Sequence, residues 1–378
     1  MIDLAKVYRI IKRAGVEFIS GVPDTLLNDF CLGLETYWNP TRHVLAANEG
    51  NSIALAAGYH LATNTVPLVY MQNSGMGNAL NPLISLTDES VYSIPMVMII
   101  GWRGEPNSGD WPQHQRQGEL SPVILDALNI PYRVLDEDED ASLDAIEWAI
   151  SEARKLSQPV ALLVRKNVLS KKEKSGFEHV HQVYSLSRED AIKEIINQIP
   201  RDSLIVASTG RITRELHAIR EYLNQSHEFD FLNVGAMGHA ISIAAGIATA
   251  RPDRQVVCLD GDAASLMHMG SLPITANLKL SNLIHIVLNN GVHESVGGQE
   301  SVGYMASLTG IASSSGYETL GKFVSTTSEL QQGVAILRAS AKPAFLEVRI
   351  KKGMRSDMPV LKADTKALKH QFICSAVK

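Results

Sequence analysis

The feature that most constrains this chain is that it states one pattern twice. The nine residues GNSIALAAG from Gly50 return as GHAISIAAG from Gly238, identical at five of nine positions and 188 residues further on. The same offset, without gaps, lays PLVYMQNSG from Pro67 on QVVCLDGDA from Gln255, and IPMVMIIG from Ile94 on NLIHIVLNN from Asn282. Earlier, SGVPDTLL from Ser20 resembles TGRITREL from Thr209; later, QPVALLVRK from Gln158 resembles KPAFLEVRI from Lys342. Each likeness is weak alone. Their common order and nearly constant spacing predict two copies of one fold, a tandem pair rather than a solenoid. A length of 378 residues agrees, since it exceeds one ordinary domain and suits two of about 150–200.

Within each copy, short apolar runs rich in β-branched residues alternate with amphipathic segments such as DAIEWAISEARKL and ELQQGVAILRASA. That alternation predicts an α/β fold: two tandem domains, each a parallel sheet with helices on both faces. The charged, weakly periodic stretch RKNVLSKKEKSGFEHVHQVYSLSR separates the copies. We therefore expect a first domain over 1–168, a linker over 169–187 and a second domain over 188–378. The acidic run Asp136–Asp140 suits the start of the following helix, where negative charge is favourable.

Bulk properties exclude several classes. A net charge of −5 leaves no basic footprint for nucleic acid or an anionic membrane. Cys31, Cys258 and Cys374 are scattered without metal or disulfide spacing. No apolar run approaches the ~18 residues of a membrane span. The N-terminal MIDLAKVYRIIKRAG alternates apolar and charged residues at helical spacing, unlike a secretory leader. The expectation is a soluble cytoplasmic protein.

In a parallel sheet, ligands sit beyond the carboxyl ends of the strands. Asp262 follows the run QVVCL and Asn290 follows LIHIVLN, so both should point into one crevice. A carboxylate and an amide oxygen are hard ligands suited to Mg2+, and the helical segment starting at Ala263 offers free N–H groups to phosphate. Taken singly, each residue reads more plainly as an acidic cap or a polar turn. Together, in this spacing, they resemble the motif of thiamine-diphosphate enzymes, which opens Gly-Asp-Gly and closes Asn-Asn. Gly261 and Asp262 match, and Ala263 replaces the second glycine. The resemblance implies that Asp262, Asn290 and the carbonyl of Val292 are metal ligands, with Gly261 and Ala263 beside the diphosphate.

The same resemblance demands a carboxyl group in the other copy. The coenzyme's own amino group becomes a base only when a shielded carboxyl group hydrogen-bonds the far nitrogen of its pyrimidine ring. Glu49, in LAANEGNSIALAAGYHLAT, matches the family's glutamate, although a helix-start glutamate placed for the dipole is the plainer alternative. The first copy would be the pyrimidine-binding domain and the second the diphosphate-binding domain. A homodimer or larger assembly, with active sites at the subunit interface, is implied. So are Thr209 and Gly210 beside the diphosphate, Gly235 offering its carbonyl to the pyrimidine amine, and Met237 under the bent coenzyme. Met237 serves equally well as core filler. The turn SGMGN from Ser74 lacks the third glycine of a dinucleotide fingerprint, with Leu80 in its place, and we reject that reading.

Nearly end to end, the chain looks like the phosphonopyruvate decarboxylase branch of the thiamine-diphosphate-dependent 2-oxo acid decarboxylase family. Sulfopyruvate decarboxylase is a near relative. The resemblance rests on ISGVPDTLL, NEGNSIALAAGYHLAT, QNSGMGNALNPL, GWRGEPNSGDWPQHQRQG, STGRITREL, LMHMG and IHIVLNNGVHESVGGQES. It implies decarboxylation of 3-phosphonopyruvate to phosphonoacetaldehyde and CO2 in phosphonate biosynthesis, with thiamine diphosphate and Mg2+. The alternatives are sulfopyruvate, or another 2-oxo acid decarboxylase or carboligase of the family. A doubly anionic substrate needs cationic or N–H donors. Arg103, Gln113, His114 and Arg116, in what read as loops after first-copy strands, are candidates, as are His293, Glu294 and Ser295 past the metal turn. Asp24, Thr25 and His114 are candidates for proton transfer. For each of these, a solvated loop residue is the plain alternative.

Overall fold

The computed structural model describes residues 1–171, 184–355, 357–358 and 364–377. They form two compact units, one holding Met1–Phe177 with Val296–Gln299, the other Glu178–Ser295 with Glu300–Lys378. Most of the expected linker, residues 172–183, lies outside the described residues. At its near end Leu169 bridges to Ile2, and the Ser170 N–H donates to the Ile2 carbonyl (2.9 Å), so these two residues belong to the first unit's framework. At its far end Ser187 caps the helix Arg188–Gln198 by accepting the Asp190 N–H (3.0 Å).

The first unit contains six strands: β1 (Ile19–Gly21), β2 (His43–Leu45), β3 (Leu68–Gln72), β4 (Met96–Gly101), β5 (Tyr132–Leu135) and β6 (Pro159–Val164). They pair in the order β2-β1-β3-β4-β6-β5, every pair parallel. The second unit contains β7 (Leu204–Ala207), β8 (Asp230–Leu232), β9 (Val256–Gly261), β10 (Leu283–Asn289) and β11 (Ala344–Arg349). Read from its β8 edge the order is β8-β7-β9-β10-β11, again all parallel. The two orders coincide strand for strand, with β3 and β9 beginning 188 residues apart at Leu68 and Val256. Only β5, an edge strand, lacks a counterpart among the described residues.

Both faces of each sheet are covered, which is why the strands read as continuous apolar runs. Along β4, Val97 and Ile99 enter one core while Met96, Met98 and Ile100 enter another on the opposite face. β6 divides likewise, with Val160, Leu162 and Val164 on one side and Ala161 and Leu163 on the other. Three helices cover the first of these faces, one of them Asn28–Tyr37, which adds Phe30, Cys31 and Leu34 to that core. Leu4–Arg13 buries Leu4, Val7, Tyr8 and Ile11, the spacing of one helical stripe. Glu139–Leu156 buries Ala145, Ile146, Ala149, Ile150 and Ala153. Its N-cap is Asp138, which accepts the Ala141 N–H (3.1 Å), so the acidic run does sit at a helix start.

The second sheet repeats the plan. Ile284, Ile286 and Leu288 of β10 face one core, and Leu283 and Val287 pack into two others. Among the described residues, no helix is long and apolar enough to cross a membrane.

All four tryptophans, Trp38, Trp102, Trp111 and Trp148, lie in the first unit. Their fluorescence therefore reports unfolding of that unit. Leu162 is fully buried on β6, and Leu162→Ala should destabilise the unit by about 2–5 kcal/mol, the usual cost of a buried leucine cavity. Urea titration followed at tryptophan emission should show a lower midpoint with an unchanged slope.

Candidate active site

In the second unit, pairing of Gly261 with Leu288 brings the carboxyl ends of β9 and β10 side by side. Asp262 opens the short helix Asp262–Met267 just past β9, and Asn290 follows β10 directly. Both side chains are buried, at 2% and 4% exposure. The Asp262 carboxylate accepts from Ser301 Oγ, and the backbone N–H groups of Ala263 and Asn290 point at it. Burial outweighs these donors and pushes its pKa up to about 6. Gly303 closes over the same carboxylate: a Cβ there would lie 2.3 Å from Asp262 Oδ2.

The two asparagines divide the work. Asn289 Nδ2 donates to the Gly303 carbonyl (2.8 Å) and to Glu347 Oε1 on β11 (3.0 Å), which ties the covering loop to the sheet. Asn290 Oδ1 accepts the Val292 N–H (3.2 Å), and Gly291 between them holds φ +68, where its missing Cβ makes room for the Tyr304 ring. A buried carboxylate beside a buried amide oxygen is an all-oxygen donor set that fits a hard divalent cation.

Two further pieces flank this pair. Gly210 caps the helix Arg211–Tyr222 at φ +103 with no side-chain cap, so the first amides of that helix lack a capping side chain. A Cβ on Gly210 would lie 3.7 Å from Ser295 Oγ, so Thr209-Gly210 and the exposed Ser295 are neighbours. After β8, the Asn233 Oδ1 accepts the Gly235 N–H (3.3 Å), and Ala236 holds a left-handed φ of +48 immediately before the half-buried Met237. A non-glycine residue at that angle is strained, and such strain is concentrated at ligand sites.

In the first unit, Glu49 is the first residue of the helix Glu49–Thr63, whose N-cap Asn48 accepts the Asn51 N–H (3.0 Å). The glutamate is 5% exposed. Its Oε2 accepts from Asn78 Nδ2 (2.8 Å), and its Oε1 would lie 2.2 Å from any Cβ at position 75. The SGMGN turn thus serves as a seat for Glu49, with Gly75 leaving space and Asn78 holding the carboxylate. Neither residue was expected at the site. The sequence signal was the pair of glycines, which points to a close approach of some kind without saying of what.

Asp24 follows β1 and is 1% exposed. Gly101, the last residue of β4, makes room for it, since a Cβ there would meet Asp24 Oδ2 at 2.1 Å. Burial pushes the Asp24 pKa up to about 6; the amides of Leu26, Leu27 and Thr25 and the Arg103 charge pull it back only partly. None of those amides closes a well-formed hydrogen bond to the carboxylate. Thr25 itself is exposed.

Arg103 is held at both levels. Asn73 grips its backbone, donating to its carbonyl (2.7 Å) and accepting its N–H (3.2 Å). Its guanidinium makes a two-point pair with Asp110, Nε to Oδ2 and Nη2 to Oδ1 at 2.7 Å each. That pair holds the Asp110 carboxyl well below the usual range. His114 lies within reach of the same charges, with Nδ1 buried and unpartnered and its pKa lowered by burial and by Arg103.

One expectation is corrected. PQHQRQG is not a loop: Pro112 occupies the first turn of the helix Pro112–Ala127, where its missing N–H costs nothing. Gln113, His114 and Arg116 are therefore helical, and Arg116 is spent on an exposed i,i+3 pair with Glu119 (2.8 Å). Glu294, expected to meet substrate, has its carboxylate engaged by Arg188 Nη1 and Nη2 (2.7 Å each), Asn290 Nδ2 (3.1 Å) and the Gly353 N–H. The half-buried His293 beside it is pushed down to about 4 by burial and is neutral at pH 7.

Residues 5–127 match the N-terminal, and residues 208–361 the C-terminal, thiamine pyrophosphate-binding domain of thiamine pyrophosphate enzymes. A phosphonopyruvate decarboxylase of Streptomyces viridochromogenes is 30% identical over 93% of this chain and 89% of its own length. Another, from Streptomyces hygroscopicus, is 29% identical over 90% and 85%. A sulfopyruvate decarboxylase of Methanosarcina acetivorans is 29% identical over 78% of each. With a glutamate seated in one unit and a paired aspartate and asparagine in the other, the chain belongs to the phosphonopyruvate decarboxylase branch of the thiamine-diphosphate-dependent 2-oxo acid decarboxylases, and is an enzyme of the carboxy-lyase class.

Proposed function

We propose that the enzyme converts 3-phosphonopyruvate to phosphonoacetaldehyde and CO2 with thiamine diphosphate and Mg2+, as a homodimer or larger assembly. What carries this reading is near-full-length likeness to phosphonopyruvate decarboxylases, joined to an all-oxygen metal set in the second unit and a shielded glutamate in the first. Sulfopyruvate is the second reading, favoured by the relative of that activity and by the similar shape of a sulfonate.

The residues divide the reaction as follows. Asp262, Asn290 and the Val292 carbonyl would hold the cation, and the amides at Thr209-Gly210 would offer donors to the diphosphate. Glu49 would hydrogen-bond the far pyrimidine nitrogen, and its seat on Gly75 and Asn78 keeps that carboxyl group in one place. Gly235 and Met237 line the coenzyme. Bound thiamine diphosphate supplies the electron sink for the bond pair released as CO2 leaves. A proton then replaces the carboxylate on the carbonyl carbon. Asp24, a buried acid with its pKa near 6, and neutral His114 are the groups that hold and move it. Arg103, with Gln113 and Ser295, meets the phosphonate.

Steady-state kinetics on phosphonopyruvate, sulfopyruvate and pyruvate, measured side by side, test the proposal. The highest kcat/KM is expected on phosphonopyruvate, and a higher value on sulfopyruvate would transfer the assignment to the second reading. Arg103→Ala should raise KM for phosphonopyruvate more than for pyruvate; equal effects would remove Arg103 from phosphonate recognition. Glu49→Gln should lower turnover by roughly two to four orders of magnitude, the scale of lost acid–base activation, with coenzyme still bound by calorimetry. Asp262→Ala should lose Mg2+-dependent retention of coenzyme on desalting, and retention equal to wild type would contradict the metal assignment.

A further inference from the structure

Glu294 accepts four hydrogen bonds beside the turn after β10, and the reaction as proposed above gives it no part. Its Oε2 accepts from Arg188 Nη1 and Nη2 at 2.7 Å each and from Asn290 Nδ2 at 3.1 Å, while Oε1 accepts the Gly353 N–H. Arg188, the first residue of the helix Arg188–Gln198, is itself 5% exposed and turns its other edge to Glu215, with Nε to Oε2 at 3.1 Å and Nη2 to Oε1 at 3.0 Å. Glu215 sits on the neighbouring helix Arg211–Tyr222 and is 1% exposed. A buried network of this kind is stable only when its charges are mutually compensated. Here one arginine bridges two glutamates, with Arg211 Nε a further 3.9 Å from Glu294.

The consequence lies in the chemistry of an amide. The two ends of an asparagine side chain are nearly equal in shape but opposite in polarity, and only the oxygen can bind a cation. A carboxylate only accepts hydrogen bonds. Placed against Asn290, it compels the NH2 end to face it and the Oδ1 end to face away, where Oδ1 already accepts the Val292 N–H (3.2 Å). A flipped amide would set its oxygen against an anion and leave the Val292 N–H facing a donor. We propose that Glu294, braced by Arg188, is a positioning residue that fixes the Asn290 amide with its oxygen toward the metal site. This rests on the Mg2+ reading above.

The test is calorimetric titration of thiamine diphosphate into the intact enzyme at a series of Mg2+ concentrations, which yields the half-saturating Mg2+ without reference to turnover. Glu294→Ala should raise that concentration about 10–100-fold, the usual effect of removing a group that orients a metal ligand. KM for the oxo acid at saturating Mg2+ and coenzyme should move less than about threefold. Glu294→Gln keeps the volume and a neutral acceptor, whose hydrogen bond is roughly half as strong. It should give an intermediate rise, and it decides the matter if the alanine variant does not fold. A half-saturating Mg2+ equal to wild type in a folded variant overturns the proposal, and a raised KM in its place would return Glu294 to substrate contact. If wild-type enzyme binds coenzyme without any Mg2+ dependence, the metal reading itself fails and this inference goes with it.

Discussion

An aspartate buried at the end of a parallel strand is costly to keep ionised, and the second unit is organised around that cost. Burial pushes Asp262 up to about 6 even with a serine hydroxyl and several amides pulling it down. Hydrogen-bond donors cannot neutralise a carboxylate, whereas a divalent ion between it and a second oxygen can. Around the carboxylate, Gly303 has no Cβ to press on it, Asn289 is tied to the loop and to β11, and Gly291 takes the turn between Asn290 and Val292. The sheet makes this possible, because only a parallel pair delivers two successive strand ends to the same edge.

The first unit handles its acids differently. Glu49 and Asp24 are both buried at element boundaries, and each lies against a glycine that could not carry a side chain, Gly75 for one and Gly101 for the other. Glu49 has an amide donor in Asn78. Asp24 has no comparable partner and rises to about 6, with the Arg103 charge acting against the rise. One acid is thus held as an acceptor with a fixed direction, and the other is left near the pH where it exchanges a proton. Arg103 is committed through two nitrogens to Asp110, so its position is set before any ligand arrives.

Much of this was legible from residues alone, and what escaped did so for physical reasons. The repeat was visible because buried strands and the helices packed on them constrain composition at fixed spacing. That is why GNSIALAAG and GHAISIAAG survive as a pair, and why the two sheets have one order. The edge strand β5 breaks no spacing and left no trace. PQHQRQG is polar throughout its length, and only Pro112 marks the helix start. Glu294 looked free because acids near a site are often functional. Its partner Arg188 lies 106 residues away, and no local pattern reports a contact of that range. Gly75 and Asn78 were read through a fingerprint for a different ligand, when their task was to make room for and hold one carboxylate.

The duplication also shows one scaffold carrying different acids in its two copies. At the offset of 188, Glu49 falls on Met237, and Asp262 falls on Ser74. The position at or just before the start of one helix thus carries an acid in the first copy and an apolar side chain in the second. The position after one strand carries a small hydroxyl in the first copy and Asp262, the acid proposed for the metal, in the second. Neither copy has both acids at these places, so in the function proposed above each would supply one of the two acids the coenzyme requires. The backbone requirements stayed shared while the chemistry separated. Gly101 and Asn289 are equivalent by the same count, and both serve a neighbouring aspartate, one by standing aside for Asp24 and the other by anchoring the loop that covers Asp262. Strand ends in this fold are therefore places where an acid can be buried, and what each acid does depends on whether the residues around it supply an N–H, a positive charge or the space for a cation.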